Sequence, residues 1–186
     1  MTISFVAANT NEDHTITIPT HMNGDLIVIS AIKKTTEMPS VNAAFTLISA
    51  TTANSLGVAV GYKFASSNSE VSGYWDANNL LCAVYRGVSS VGNNTTRNGN
   101  STLAQWGGLG VANSGSWVAG TGVGANGFIV DPIMTGGASM VRRTSLSSTE
   151  RNTTLIDTAN VVSSFTSLYS NVNSGKWRTA TYELKG

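Results

Sequence analysis

The sequence predicts an all-β chain: a single-domain antiparallel β-sandwich, jelly-roll-like, with at most one short helix. Three observations predict it. The apolar clusters are short, rich in β-branched and aromatic residues, and bounded by Gly, Asn, Ser or Pro. Charged residues fill only 11% of the 186 positions, less than half the usual quarter, and Ser, Thr, Asn and Gly take their place. Turn signals recur at intervals of roughly 8–15 residues, the spacing of sandwiches and jelly rolls. Disorder would need low hydrophobicity with high net charge; this chain is 41% hydrophobic with a net charge of +1. Its length suits one domain, and folding at that size buries roughly 70% of the unfolded surface.

In chain order, residues 3–6 (ISFV) open with an alternating strand. Residues 14–18 (HTITI) alternate cleanly, place Ile16 and Ile18 on one face, and stop at Pro19. The turn signal Asn23-Gly24-Asp25 launches residues 26–32 (LIVISAI), an apolar run expected of a strand covered on both faces. Residues 44–48 and 57–64 follow, the latter with Val58, Val60, Tyr62 and Phe64 sharing a face. Residues 80–85 (LLCAVY) form another strand, ended by Arg86-Gly87. Residues 89–101 (SSVGNNTTRNGNS) read as a polar loop without periodicity. Residues 116–119 and 127–130 read as strands either side of a glycine-rich turn, and 139–143 and 153–156 as two more. Residues 161–172 carry Val161, Val162, Phe165, Leu168, Tyr169 and Val172 at helix-like spacing with a Ser-rich filling, which leaves a short helix or a strand-loop-strand open. Residues 176–184, with Trp177, Ala180, Tyr182 and Leu184, close the chain as a strand. No repeat, linker or charge block marks a domain boundary.

The chemistry of common sites is missing from this pattern. Two histidines, His14 and His21, and one cysteine, Cys82, form no C-x-x-C or H-x-x-x-H pair, so no metal or other cofactor is expected. Cys82 lies inside an apolar strand and reads as a buried, inert thiol. No G-x-S-x-G elbow occurs, and Asp25, Glu70, Asp76, Asp131 and Asp157 sit at turns or strand ends, where carboxylates cap backbone N–H groups. The chain is therefore expected not to be an enzyme. A literal G-x-G-x-x-G runs from Gly122 to Gly127, but Phe128-Ile129-Val130-Asp131-Pro132 follows instead of a helix, so no pyrophosphate site is expected there, only a turn or bulge. Four Asn-x-Ser/Thr matches, beginning at Asn93, Asn94, Asn100 and Asn152, are the number that so much Asn, Ser and Thr produces by chance. The densest positive site, Arg142-Arg143 with Arg151 near, is too small for a nucleic-acid footprint. No signal-peptide pattern and no membrane-spanning stretch is present. With a strand beginning within a few residues of Met1, no anchor domain is expected.

Of the four tryptophans, Trp117 and Trp177 fall in alternating strands and read as core, whereas Trp75 in Gly73-Tyr74-Trp75-Asp76 and Trp106 before Gly107-Gly108 sit in loop-like settings. Those two, with Asn94 and Arg97 of the polar loop, are the candidate contacts to a ligand or partner. Exposed indoles would stack on pyranose rings; buried ones would anchor loops.

The order of features carries a resemblance. Gly24-Asp25-Leu26-Ile27-Val28 precedes a Gly-Tyr-Lys-Phe-Ala strand at 61–65. Then come Tyr85-Arg86-Gly87-Val88, Gly115-Ser116-Trp117-Val118, Asp157-Thr158-Ala159 and Trp177 through Glu183-Leu184. The chain resembles a group of virion structural proteins of tailed bacteriophages, in which a "GDLL" strand, a "YRGV" strand and a "W-x-x-x-x-x-E-L" strand recur in that order. It departs from the group where a "P-x-G-W" segment is replaced by Pro39-Ser40-Val41-Asn42. The resemblance implies a jelly-roll-like sandwich on the virion with no catalytic residues. It implies a head decoration protein or a small tail or baseplate accessory, whose partners are other virion proteins (capsid or tail) and copies of itself. A receptor- or carbohydrate-binding module at a fibre tip, holding a host surface glycan, is the alternative.

Overall fold

The computed structural model describes residues 2–53, 55–125, 140–148, 151–172 and 175–186. Twelve strands are seen among them, in antiparallel sheets, and no helix. The first sheet contains β1 (Ser4–Asn11), β2 (Leu26–Lys33), β3 (Thr46–Ala53), β4 (Leu56–Phe64) and β5 (Asn79–Arg86), in the order β1-β5-β2-β4-β3. The second contains β6 (Ser90–Asn100), β8 (Trp117–Gly124), β9 (Val141–Ser148), β10 (Arg151–Asp157) and β12 (Lys176–Lys185), in the order β6-β12-β8-β10-β9. Strands β7 (Leu103–Trp106) and β11 (Leu168–Asn171) pair in a third, two-stranded sheet. An eight-stranded jelly roll divides its strands between two sheets; here each main sheet has five, with the small sheet added.

The two five-stranded sheets pack face to face, which makes the chain an all-β sandwich. Alternation decides which side chains meet. Leu26, Val28 and Ile32 of β2, Val58 and Val60 of β4, and Leu81, Ala83 and Tyr85 of β5 point inward from the first sheet. Trp117, Ala119 and Val123 of β8, Leu155 of β10, and Ala180, Tyr182 and Leu184 of β12 point inward from the second. The opposite faces are covered as well. Ile16, Ile18, Phe45 and Trp75 lie over Ile27, Ile29, Cys82 and Val84. Trp106, Leu109, Phe165 and Leu168 lie over Val118 and Ile156. This double covering is why β2 and β5 are apolar almost without interruption. Cys82 is free and buried, and burial pushes its thiol well up, away from the reactive thiolate.

Three expectations are corrected, and the open choice at 161–172 falls to strand-loop-strand. Residues 89–101 are not a loop: β6 is an edge strand paired with β12 from Ser90 to Asn100. Its ladder comes from backbone groups, so the absence of apolar alternation is no obstacle. Residues 161–172 contain no helix; Phe165 bridges Leu109, and β11 pairs β7. Ile16 and Ile18 are buried on one face as expected, but residues 15–18 join no strand ladder. The side-chain amides of Asn9 and Asn11 instead donate to the Thr17 and Thr15 carbonyls, at 3.0 and 2.7 Å. The glycines Gly120, Gly122 and Gly124 form no turn; they lie within β8. A Cβ on Gly120 would stand 3.1 Å from the Trp106 ring, so the bare backbone is what lets that indole lie on the sheet. The strand expected at 127–130 and Asp131 lie outside the described residues.

Candidate functional site

The resemblance motifs meet in space, two by two. At one end of the sandwich, the 23–25 turn abuts the end of β5. Gly24, at φ +87°, allows the turn, and its N–H donates to the Ala65 carbonyl at 2.8 Å. Asp25 is buried and accepts from Arg86 Nε and Nη2, each at 2.8 Å, and from the Met22 N–H at 2.8 Å. The Arg86 guanidinium beside it, more than the opposing burial, holds its carboxyl below the usual range. Gly87 follows at φ +78°, where a Cβ would collide with the Thr2 carbonyl. Met22, Asp25, Arg86, Val88, Ser89 and Gly186 line an open cavity of about 550 Å3 at this end. The Ser89 N–H donates to the Lys185 carbonyl at 2.7 Å, so the β5–β6 turn and the end of β12 close the same rim.

Glu183 of β12 and Ser116 ahead of β8 make the second meeting. Glu183 is fully buried, yet its Oε1 accepts from Ser116 Oγ at 2.7 Å and from the Ala112 and Asn113 N–H groups at 2.8 and 3.3 Å. Its Oε2 accepts from the Asn93 N–H at 3.2 Å. Burial pushes the carboxyl up, but these donors outweigh it and the net displacement is downward. Asp157 at the end of β10 is likewise buried; it takes Arg143 Nε and Nη2 at 2.7 and 2.8 Å and the Ala159 N–H at 2.8 Å. Tyr85 faces it, and burial first, then that carboxylate, raises the phenol. In all three places the carboxylate oxygens are occupied by donors of the protein, which makes them fastenings between strands and turns.

The four candidate contacts separate. Trp75 and Trp106 are both 0% exposed, so of the two readings they are buried anchors, and their candidacy as ligand contacts is corrected. Trp75 packs edge-on against Phe45, 5.1 Å between centroids, and donates its Nε1–H to the Ser72 carbonyl at 2.9 Å. Trp106 donates to Ser170 Oγ at 2.6 Å across the small sheet. Neither offers a face to a sugar. Asn94 and Arg97 are exposed on β6. Arg97 Nη1 folds back onto its own strand, donating to Thr95 Oγ1 at 3.1 Å and the Thr96 carbonyl at 3.0 Å. The structure thus brings Asn94 and Arg97 together on one edge and leaves the two indoles in separate cores.

The histidines do not converge. His14 stacks on Tyr74 with centroids 4.9 Å apart, while His21 Nε2 accepts the Glu70 N–H at 3.1 Å and leaves Nδ1 to donate to the Pro19 carbonyl at 2.7 Å. Among the described residues, no three His, Cys, Asp or Glu side chains gather where a metal ion could sit. Sequence reading missed Arg86, Glu183 and Arg143 as partners because each acts across a long chain separation; a buried strand-end Asp beside a Gly turn was the one signal available. Comparison with known protein families, with characterised proteins and with solved structures finds no match.

Proposed function

We propose that this chain is a non-enzymatic structural protein of a tailed-phage virion, an accessory surface protein such as a head decoration protein or a small tail or baseplate component. The observation that carries this reading is the pairing of the resemblance motifs. Asp25 of the Gly-Asp-Leu strand is clamped by Arg86 of the Tyr-Arg-Gly-Val strand, and Ser116 of Gly-Ser-Trp bonds Glu183 of the closing strand. Both pairs lie where neighbouring strands place them, β2 beside β5 and β8 beside β12, so the motifs fall at two fastenings of the sandwich. The low charge of the surface favours a protein that works among close neighbours, because net charge is what keeps molecules apart in solution. The fibre-tip alternative loses its two stacking platforms and retains only Asn94 and Arg97. Quantitative mass spectrometry of purified particles from the genome that carries this chain tests the reading. The expected result is a fixed copy number per particle after stringent washing. Absence from the particles, with the protein present in the infected cell, would overturn it.

A further inference from the structure

We propose that β6, with β3 beside it, is the surface through which two copies of this chain pair, β6 running antiparallel to the β6 of a second copy about a two-fold axis. The inference deepens the assembly reading and rests on it only in expecting self-association. An edge strand offers a row of unpaired backbone N–H and C=O groups, and proteins that stay apart protect such rows. The other edges show protection. β1 is bulged at Phe5 and Ala7, and its Asn9 and Asn11 amides tie down the 15–17 segment alongside. β9 carries Arg142 and Arg143. On the β6 flank protection is sparser among the described residues: β3 is bulged between Leu47 and Ser49, and Arg97 Nη1 covers the Thr96 carbonyl. Arg97 is the only charge in β6 and β3 together, and neither strand contains Pro or Lys. The bulge in β6 lies near its start, opposite Glu183, so residues 94–100 keep regular register with β12. On the neighbouring β3, Leu47 stands 55% exposed.

The dimensions suit a second copy. At ~3.3 Å per residue, the 11 residues of β6 reach about 36 Å, and two stacked sheets give the flank a depth of about 15–20 Å. That is roughly 600 Å2 per copy, or about 1,200 Å2 in total, where specific interfaces begin. Charge also points to self-pairing, because a nearly neutral strand meets its own copy with a single like-charge conflict, at Arg97. Centring the axis on Thr96 removes that conflict: Arg97 then faces Thr95 of the second copy, Thr96 faces Thr96, and Asn94 faces Asn98.

Sedimentation equilibrium of the whole chain provides the test. The wild type is expected at twice its 19.4 kDa mass at concentrations of about 100 µM or below. The double variant Asn94→Lys/Asn98→Lys sets lysines opposite each other twice and should weaken the dimer about tenfold, with far-UV circular dichroism unchanged. The charge-swapped Asn94→Lys/Asn98→Glu, which sets opposite charges across the same axis, should return it to within about threefold of wild type. A monomeric wild type overturns the proposal and leaves this edge to a strand from another protein. A dimer that tolerates the paired lysines, or that the charge swap does not rescue, overturns it as well. A monomer that is still found on particles refutes only this surface, whereas a dimer absent from particles refutes only the virion reading.

Discussion

Asp25 is almost wholly withdrawn from solvent, whereas the Arg86 side chain that holds it keeps 46% of its surface exposed. Removing the arginine therefore strands a buried carboxylate with one backbone donor, while removing the aspartate frees a cation that water can solvate. Arg86→Ala should accordingly cost about 2 kcal/mol, below the range for a fully buried pair because half of this one is already wet. Urea unfolding of Arg86→Ala beside Asp25→Asn will show whether the arginine deletion is the costlier. Glu70 gives a pH signature. The Lys63 ammonium at 2.6 Å, then the Ser66 hydroxyl and N–H, hold its carboxyl down to about 2 from an ordinary 4.5. The folded value is the lower one, so the stabilisation is complete above about 4.5 and is lost as pH falls toward about 2. Glu70→Gln should cost about 1 kcal/mol near neutrality and nothing near pH 2, which urea midpoints at the two pH values will report. Arg178 is the opposite case. Its Nη1 reaches the Trp177 carbonyl at 2.6 Å, but Nε and Nη2 have no partner among the described residues and the residue is fully buried. Burial alone displaces its ionisation downward. A cation with unmet donors is costly in such a place, so Arg178→Met, similar in volume, should stabilise the fold by about 1 kcal/mol.

At the scale of elements, the short sheet β7–β11 is a lid on the second main sheet, and Trp106 is its anchor over the Gly120 backbone. Trp75 plays the same part for the loops over the first sheet. Trp75→Ala and Trp106→Ala should each cost about 3–5 kcal/mol, seen as a lowered thermal midpoint. A variant that kept its midpoint while losing affinity for a glycan would show instead that the indole serves a ligand. These two residues also mark where the sequence stops being readable. β2 and β5 could be read directly because burial on both faces demands an apolar residue at every step. Trp75 lies in no strand, so no periodicity says which way it points; Phe45, 30 positions earlier, decides its place. β6 was hidden for a related reason. An edge strand partnered by β12 along one side needs only backbone, and its Gly, Asn and Thr residues match the composition of a loop. A signal was nonetheless present, since a 13-residue stretch without structure is unusual inside a compact fold. The fastenings at Asp25 and Asp157 were legible as turn-associated carboxylates, but their partners were not, and Glu183 inside the closing strand was missed altogether: Arg86 is 61 residues from Asp25, and Ser116 is 67 from Glu183.

The whole molecule depends on how two sheets, each with its own backbone ladders, choose one alignment against each other. Apolar contact between them is strong but non-directional, and the inward faces of β2 and β4 are built from similar aliphatic residues. Polar groups placed between the sheets fix the alignment. Arg143 of β9 packs over the Phe5 ring of β1, 4.4 Å from its centroid, and belongs at the same time to the Asp157 pair. Deeper in, Ser30 Oγ of β2 and Thr121 Oγ1 of β8 share a hydrogen bond of 2.5 Å with both residues fully buried. A buried pair of this kind has an asymmetric energy: losing one partner leaves the other without a bond in a dry setting, whereas losing both removes the requirement altogether. Ser30→Ala and Thr121→Val should each cost about 1–2 kcal/mol, and the double variant should cost less than the two added together, by about 1 kcal/mol or more. A double-variant cycle in urea measures that coupling. Additive costs would mean that the two hydroxyls act separately and that alignment rests on the Arg143 side of the sandwich. Coupling with a retained unfolding free energy, but a broadened or multi-phase transition, would show that the pair selects one alignment of the sheets more than it stabilises that alignment.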